Sequence, residues 1–313
     1  MSILLLLSLA VAGAAALPFH NNSIPNYHLA AEDFIFLNSL PKGKAGAQIP
    51  GFKYRYLDAT NHQITPTLIP AHHQLEIAGS PRTSQHAVDV AAGVIQKMTR
   101  YMPQSMFESL TRGTVGIFTA AEKLTVFPEN KNLASGSCGA SCAGTCSHTC
   151  TFDGRKYEDI GGLTNSRAVV LDDIVLCTSA DPYHHTVNIL VHEFAHLVHT
   201  YATTAAIRTQ ITNAYNAAKQ HATWQLNTYA MANDHEYWAM ASAAFFGVDY
   251  EGNSNTGTMN MCGNAVCTTV PLVREHLRQK DPALFSALVH VYANNNPALN
   301  PGLTRCPAGT VVG

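Results

Sequence analysis

The chain has 313 residues, of which 46% are hydrophobic, and its formal net charge is −2. This length and apolar content allow a buried core in one large domain or two modest ones. The near-neutral charge excludes electrostatic attraction to phosphate backbones, so we expect no nucleic-acid partner. Histidine, the commonest metal ligand among side chains, is abundant at 16 residues.

The N-terminus predicts a signal peptide. An apolar run from Ile3 to Ala16 is shorter than the roughly 20 residues that span a bilayer. Ala14 and Ala16 form the small-residue pattern at which signal peptides are cleaved. We therefore expect residues 1–16 to be removed and the mature protein to be secreted, with no stable membrane anchor. A buried N-terminal helix is the alternative.

Residues 17–80 are rich in proline, asparagine, histidine and glycine, and they predict an irregular N-terminal lobe or a pro-segment. The patterns become regular from residue 81, so residues 81–313 are expected to form the main domain. Apolar residues from Val88 to Met98 recur at helical spacing, and the run stops before Pro103. A short helix and three β-type segments are expected next, at 106–110, 114–119, 124–127 and 168–177.

The cysteines agree with export. Eight cysteines, an even number, predict up to four disulfides in an oxidising compartment. Their connectivity is not readable, although Cys262 and Cys267 are close enough along the chain to pair. Four others recur at every fourth residue in a Gly/Ser-rich loop with His148 among them, so a second metal site is an alternative to disulfides there: Cys138, Cys142, Cys146 and Cys150.

The second half of the chain is mainly helical. Its strongest pattern predicts a helix over Val187–Tyr201, and a later helix is expected to end at Gly247. The order of helix, strands and further helices favours an α+β fold. The helices expected after residue 201 cover 205–230, 235–246, 271–279 and 282–292.

The segment His192–His196 (HEFAH) carries the clearest chemical signal. His192 and His196 are four residues apart, so on a helix both side chains lie on one face and can bind one metal ion. Glu193 follows the first histidine and is placed to reach a water molecule at the metal. This is the H-E-x-x-H arrangement of zinc peptidases, in which the glutamate is the general base.

A third ligand is needed. The metzincin class requires Gly at position 199 and His at position 202, and the chain has His199 and Ala202 instead. His199 shares the helix face but lies about 10 Å along the axis from His192, which is too far to share one ion with both histidines. We expect it to pack or to donate a hydrogen bond behind the ligands.

Three glutamates follow the motif. Glu251 lies in a Gly/Asn-rich loop and Glu275 on a charged helix. Glu236 opens an otherwise apolar helix, where a carboxylate needs a partner because an unpaired buried charge is costly. Glu236 is therefore the preferred third ligand. Asp234 and His235 are the alternatives, and Asp234 is also a candidate helix cap.

Two stretches together resemble the gluzincins related to the catalytic domain of anthrax lethal factor: 189–199 (ILVHEFAHLVH) and 228–247 (TYAMANDHEYWAMASAAFFG). The resemblance implies a zincin-like fold, in which a small mixed sheet packs on the active-site helix before a mainly helical C-terminal subdomain. It implies His192, His196 and Glu236 as ligands of one Zn²⁺ and Glu193 as the base. It also implies that Tyr229 stabilises an oxyanion, although a core tyrosine is the alternative.

One departure from the family pattern is Met240, where the family often has a second acidic residue. The sequence as a whole predicts a secreted zinc metalloendopeptidase that acts as a monomer on a peptide or protein substrate. The alternative is a secreted, zinc-stabilised binding or toxin-like protein without turnover.

Overall fold

A computed structural model describes residues 48–151, 154–249 and 256–306. The chain is a mixed α+β protein with a small mixed sheet and a larger set of helices, and this confirms the predicted α+β class at that level. The strands are β1 (Lys53–Asp58), β2 (Ile64–Thr65), β3 (Gln74–Gly79), β4 (Thr114–Phe118), β5 (Gly162–Thr164), β6 (Arg167–Leu171), β7 (Met261–Cys262) and β8 (Ala265–Val266).

Eight described α-helices accompany the strands. Most of them lie in the second half of the chain, as expected. They are α1 (Gln85–Thr99), α2 (Gln104–Leu110), α3 (Asp172–Val175), α4 (Ile189–Leu197), α5 (Ala205–His221), α6 (Asp234–Phe246), α7 (Val270–Lys280) and α8 (Pro282–Ala293).

The main sheet has six strands in the order β2-β1-β3-β4-β6-β5. The central pairs β3–β4 and β4–β6 are parallel, whereas β1–β3 and β5–β6 are antiparallel. The strand β5 therefore forms one edge of the sheet. The helices α1 and α4 contact each other and pack on the sheet, α1 against β1 and β3, and α4 against β5 and β6. The predicted active-site helix thus lies beside the β5 edge.

The C-terminal helices pack around α4 and α6 rather than on the sheet. Helix α6 packs along α4, and α5, α7 and α8 surround α6. The indole of Trp238 on α6 donates a hydrogen bond to the carbonyl of Ala195 on α4 at 3.0 Å. Because α6 is buried on nearly all sides, its sequence is apolar almost throughout, which explains why Glu236 is unusual there.

The sheet begins earlier than the sequence suggested. Residues 17–80 were expected to be irregular, yet β1, β2 and β3 lie within them and β3 pairs with β4. Buried charges interrupt the apolar pattern by which a strand is recognised in the sequence. Glu76 on β3, for example, forms an ion pair with Arg167 on β6, in which Oε1 of Glu76 lies 3.2 Å from Nη1 of Arg167. The domain boundary expected at residue 80 lies between β3 and α1.

One predicted strand segment is wrong, and another is shorter than expected. Leu124–Val126 is a single 3₁₀ turn rather than a strand, and the 3₁₀ segment Pro128–Leu133 follows it. The strand expected over 168–177 ends at Leu171, because the next residues form α3.

The helix predicted over 187–201 begins and ends close to its expected bounds. Asn188 caps α4 by accepting a hydrogen bond from the amide of Val191. A π-helical turn, Val198–Ala202, continues it. The helix predicted over 205–230 is shorter, because Ala222 adopts a left-handed conformation with φ of 48° and closes α5.

All eight cysteines form disulfides. Cys262–Cys267 is the pair that the sequence suggested, and it closes the β7–β8 hairpin. Because the loop cysteines are bonded to one another, their thiols are not available to a second metal. The remaining bridges are Cys138–Cys146, Cys142–Cys150 and Cys177–Cys306.

No helix in the described ranges is both long and apolar enough to cross a membrane. The predicted signal peptide at residues 1–16, the following residues up to 47, and Glu251 lie outside the described residues.

Candidate metal centre

Helix α4 brings His192, Glu193 and His196 into the interior. Their exposed fractions are only 2%, 5% and 3%. The surrounding residues of the helix are apolar and buried, so the polar side chains are held between the sheet and the C-terminal helices rather than in solvent. The four-residue spacing places both imidazoles on one side of the helix, as predicted.

The two imidazoles converge on one carboxylate. The Nε2 atoms of His192 and His196 are 3.1 Å apart. Oε2 of Glu236 lies 3.0 Å from Nε2 of His192 and 3.6 Å from Nε2 of His196. The structure therefore brings together the three residues that the sequence proposed as ligands. Over the described residues, no other group of three or more His, Cys, Asp or Glu side chains could hold a metal ion.

The start of α6 places Glu236. Asn233 caps this helix, and its side-chain oxygen accepts a hydrogen bond from the amide of Glu236 at 2.9 Å. Asn233 is thus the cap, a role that the sequence allowed for Asp234. The carboxylate of Asp234 instead accepts a hydrogen bond from the hydroxyl of Thr212 at 2.6 Å. This first-turn position aims Glu236 at α4.

The donor atoms fit a zinc ion. Tetrahedral zinc with donors about 2.1 Å away separates neighbouring donor atoms by about 3.4 Å. The observed separations of 3.0 to 3.6 Å bracket that value. Two imidazoles and one carboxylate are also the donor set of many catalytic zinc sites, which leave a fourth position open. On both geometry and chemistry, His192, His196 and Glu236 suit this metal.

Electrostatics agree with a negative Glu236. Burial opposes ionisation of this carboxyl group, but His196 and His192 outweigh burial and lower its pKa to about 2. The same ion pair raises the pKa of His192. Burial alone would lower the pKa of this imidazole, but the charge of Glu236 outweighs burial. Glu236 therefore faces the two imidazoles as a carboxylate.

Glu193 lies next to the ligands but points to the sheet side. Its Oε2 accepts a hydrogen bond from the hydroxyl of Thr164 on β5 at 2.6 Å. Burial raises the pKa of Glu193, while the neighbouring His192 and His196 oppose that shift. A carboxylate with a raised pKa, close to these two imidazoles, is suited to taking up and returning a proton.

Tyr229 reaches the same place from the loop between α5 and α6. Its hydroxyl lies 3.3 Å from Nε2 of His192, and its ring stacks near that imidazole with centroids 5.4 Å apart. Burial, followed by the charges of Glu236 and Glu193, raises the pKa of this phenol well above its usual value. Tyr229 therefore remains a hydrogen-bond donor at any ordinary pH.

The other residues singled out from the sequence do not belong to the group of three donors. His199 is buried against His235, with ring centroids 4.5 Å apart, and neither of its ring nitrogens has a hydrogen-bond partner among the described residues. His199 thus packs behind the site, one of the two roles expected for it. Glu275 is exposed and pairs with Arg278. Met240 is buried within α6.

Sequence reasoning missed two residues on β5 that contact Glu193. Thr164 is the hydrogen-bond donor described above, and Gly162 packs against the same side chain. The only available signal was the Gly-Leu-Thr stretch itself, and nothing in its pattern connects it to a helix 29 residues later. The contact arises from the packing of β5 on α4.

No protein-family model matches the chain, and no curated protein sequence matches it. Among solved structures, the chain is similar to the PRO-PRO endopeptidase PPEP-2 from Paenibacillus alvei. The two are 18% identical, the match covers 68% of this chain and 96% of that chain, and the TM-score is 0.41. This likeness is too distant to indicate an activity, and the resemblance to lethal factor-like gluzincins stays a prediction.

Proposed function

We propose that this protein is a secreted zinc metalloendopeptidase with a zincin-like fold of the gluzincin type. His192, His196 and Glu236 hold one Zn²⁺, and Glu193 is the general base. The observation that carries the proposal is the convergence of three buried donor atoms, all within 4.8 Å of one another, with Glu193 beside them.

A zinc ion held by His192, His196 and Glu236 would supply Lewis-acid chemistry for activation of a water molecule and of the scissile carbonyl. Glu193 accepts the proton of the attacking water at its carboxylate and delivers it to the departing amine nitrogen. Its raised pKa favours the first transfer, because a more basic carboxylate accepts the proton of water more readily. Tyr229, protonated throughout, donates a hydrogen bond to the developing oxyanion.

Glu193 and Tyr229 favour an enzyme over a zinc-stabilised binding protein. A purely structural site is closed by four protein ligands and needs neither a base nor a phenol at its edge. Here three ligands meet and both groups adjoin them. A peptide or protein is the proposed substrate, and the enzyme is proposed to act as a monomer.

The four disulfides support export, because such bonds persist in oxidising compartments. We place the signal peptide at residues 1–16. We assign residues 53–80 to the catalytic domain together with residues 81–313. The support for this assignment is the parallel pairing of β3 with β4.

The direct test is incubation of the purified protein with a peptide library, with and without a zinc chelator. We expect cleavage that the chelator abolishes and added zinc restores. Glu193→Gln should keep the metal and lose activity by about 10²- to 10⁴-fold. Glu275→Gln, which alters an exposed glutamate, is the matched control and should remain fully active. Chelator-insensitive cleavage, or an active Glu193→Gln variant, would contradict the mechanism, and absence of cleavage would favour the non-catalytic alternative.

A further inference from the structure

Strand β5 presents two side-chain positions to Glu193. Gly162 and Thr164 are two residues apart, so they share one face of the strand, while Leu163 points to the other face. The shared face packs on α4, the helix that carries Glu193. The register is fixed by antiparallel pairing, with Gly162 opposite Val170 on β6. The two positions are therefore held by the sheet rather than by a loop.

The hydroxyl of Thr164 has two acceptors, both on Glu193. It lies 2.6 Å from carboxylate Oε2 and 2.9 Å from the main-chain carbonyl oxygen. A hydroxyl has one hydrogen to donate, and the carboxylate is the closer and the charged acceptor. Thr164 and Glu193 are both buried, so water does not compete for this bond. The hydrogen bond ties down one carboxylate oxygen.

Gly162 leaves room for the other oxygen. A Cβ atom at this position would lie 3.0 Å from both Cγ and Oε1 of Glu193, and 2.4 Å from Cγ2 of Ile189. Neither approach is an ordinary contact, so any larger residue would push against the side chain and the start of α4. Gly162 does not have a left-handed backbone conformation. Glycine is therefore needed at position 162 because a side chain would not fit there, and not because of the backbone conformation.

We infer that Gly162 and Thr164 are positioning residues that fix the orientation of the Glu193 carboxylate. Thr164 donates a hydrogen bond to Oε2 of Glu193. Because Gly162 has no side chain, Oε1 of Glu193 can lie close to the strand. This inference rests on the proposed function, in which Glu193 must meet both the attacking water and the departing amine. A glutamate has three rotatable side-chain bonds, and a 1 Å misplacement of a catalytic group costs up to about 10²-fold in rate.

The central experiment compares Thr164→Val with Thr164→Ser. Valine keeps the shape and removes the hydroxyl, whereas serine keeps the hydroxyl. With a quenched fluorescent peptide chosen from the library, we expect Thr164→Val to lower kcat about 10- to 100-fold with little change in KM. Thr164→Ser should retain kcat within about 3-fold. Wild-type kcat in Thr164→Val, or equal losses in both variants, would overturn the inference.

A double-mutant cycle with Glu193→Gln separates positioning from general damage. If Thr164 acts through Glu193, adding Thr164→Val to the Glu193→Gln variant should change its residual rate by less than about 2-fold. A merely structural role would give independent losses that multiply. Multiplied losses would therefore overturn the inference even if the single variant were impaired.

Gly162→Ala tests the space requirement, and Gly93→Ala is its matched control. Gly93 lies in α1, and an added Cβ there would meet nothing within 4 Å. We expect Gly162→Ala to lower kcat, and Gly93→Ala to leave it unchanged. If Gly162→Ala fails to fold, the two Thr164 variants still decide the matter.

Two measurements are independent of turnover. Zinc content should stay at one ion per chain in Thr164→Val, since Thr164 contacts none of the proposed ligands. A crystal structure of that variant should show the Glu193 carboxylate rotated or in two orientations, and an unmoved carboxylate would overturn the inference. If the wild type cleaves no peptide, the proposed function fails, and this structure still decides whether Thr164 orients Glu193.

Discussion

Glu236 is the most deeply buried carboxylate in the described part of the chain. It is fully buried on an apolar helix, and its ion-pair partners are two histidines. Burying a carboxylate is costly unless it is paired or coordinates a metal. The low pKa of about 2 means that this group stays ionised at every pH where the protein would act. A bound cation, as proposed for this site, would offset the cost of burying this charge.

The first prediction concerns metal content. Glu236→Ala should lose zinc on dialysis, because two imidazoles alone provide too few donors. Glu275→Ala removes an exposed glutamate whose ion pair and hydrogen bonds are with Arg278 and Gln279 of its own helix, so it should retain one zinc per chain. Metal analysis after gel filtration measures both. Stoichiometric zinc in Glu236→Ala would place the third ligand elsewhere.

At the level of single residues, the sequence was informative where a local rule applied. The placement of His192 and His196 on one side of α4 could be predicted from helical spacing, and a paired, buried position for Glu236 from the contrast between a carboxylate and its apolar neighbours. Thr164 could not, because its role depends on a contact between a three-residue strand and a distant helix. Spacing along the chain carries no information about such a contact.

Among the elements, the helices were the more predictable. The helices α1, α7 and α8 follow patterns with clear caps, such as the Ser84 side chain that accepts a hydrogen bond from the amide of Ala87. The strands β1 and β3 were missed because buried charges interrupt their apolar pattern. Asp58 on β1 pairs with His72, and Glu76 on β3 with Arg167. A charged residue in a strand looks exposed until its partner is known.

The second prediction compares two disulfides. Cys177–Cys306 joins residues 129 apart, whereas Cys262–Cys267 joins residues five apart. Loop-closure entropy predicts that removing the long-range bridge costs about 5 kcal/mol of unfolding free energy, and removing the short one about 2 kcal/mol. Urea unfolding of the two paired Cys→Ser variants measures the difference. Equal losses of unfolding free energy would mean that loop-closure entropy of the unfolded chain does not determine how much each disulfide stabilises the protein.

For the whole molecule, stability should depend on pH through Asp172. This residue starts α3 directly after β6, and burial together with the charge of Asp173 raises its pKa to about 6. The unfolded chain has the lower, ordinary pKa of 3.8. Between these values the folded state binds more protons than the unfolded state, so this contribution to stability falls as pH rises.

The third prediction follows from that sign. Asp172→Asn cannot ionise, so it should lack this decline and be more stable than the wild type at pH 7. The two proteins should become similar below about pH 4, where the aspartic acid is protonated in both states. Urea unfolding at several pH values between 4 and 7 provides the comparison. A constant difference across that range would rule out Asp172 as the titrating group.

The depth of the donor atoms has a kinetic consequence. His192, His196 and Glu236 are enclosed between α4 and α6, and the Trp238 hydrogen bond joins these helices beside the site. An ion held by donors from both helices would lose its site when the helices separate, so local unfolding of α6 from α4 should speed its release. Binding of the proposed ion would in turn oppose this separation, so metal loading should raise the stability of the folded chain.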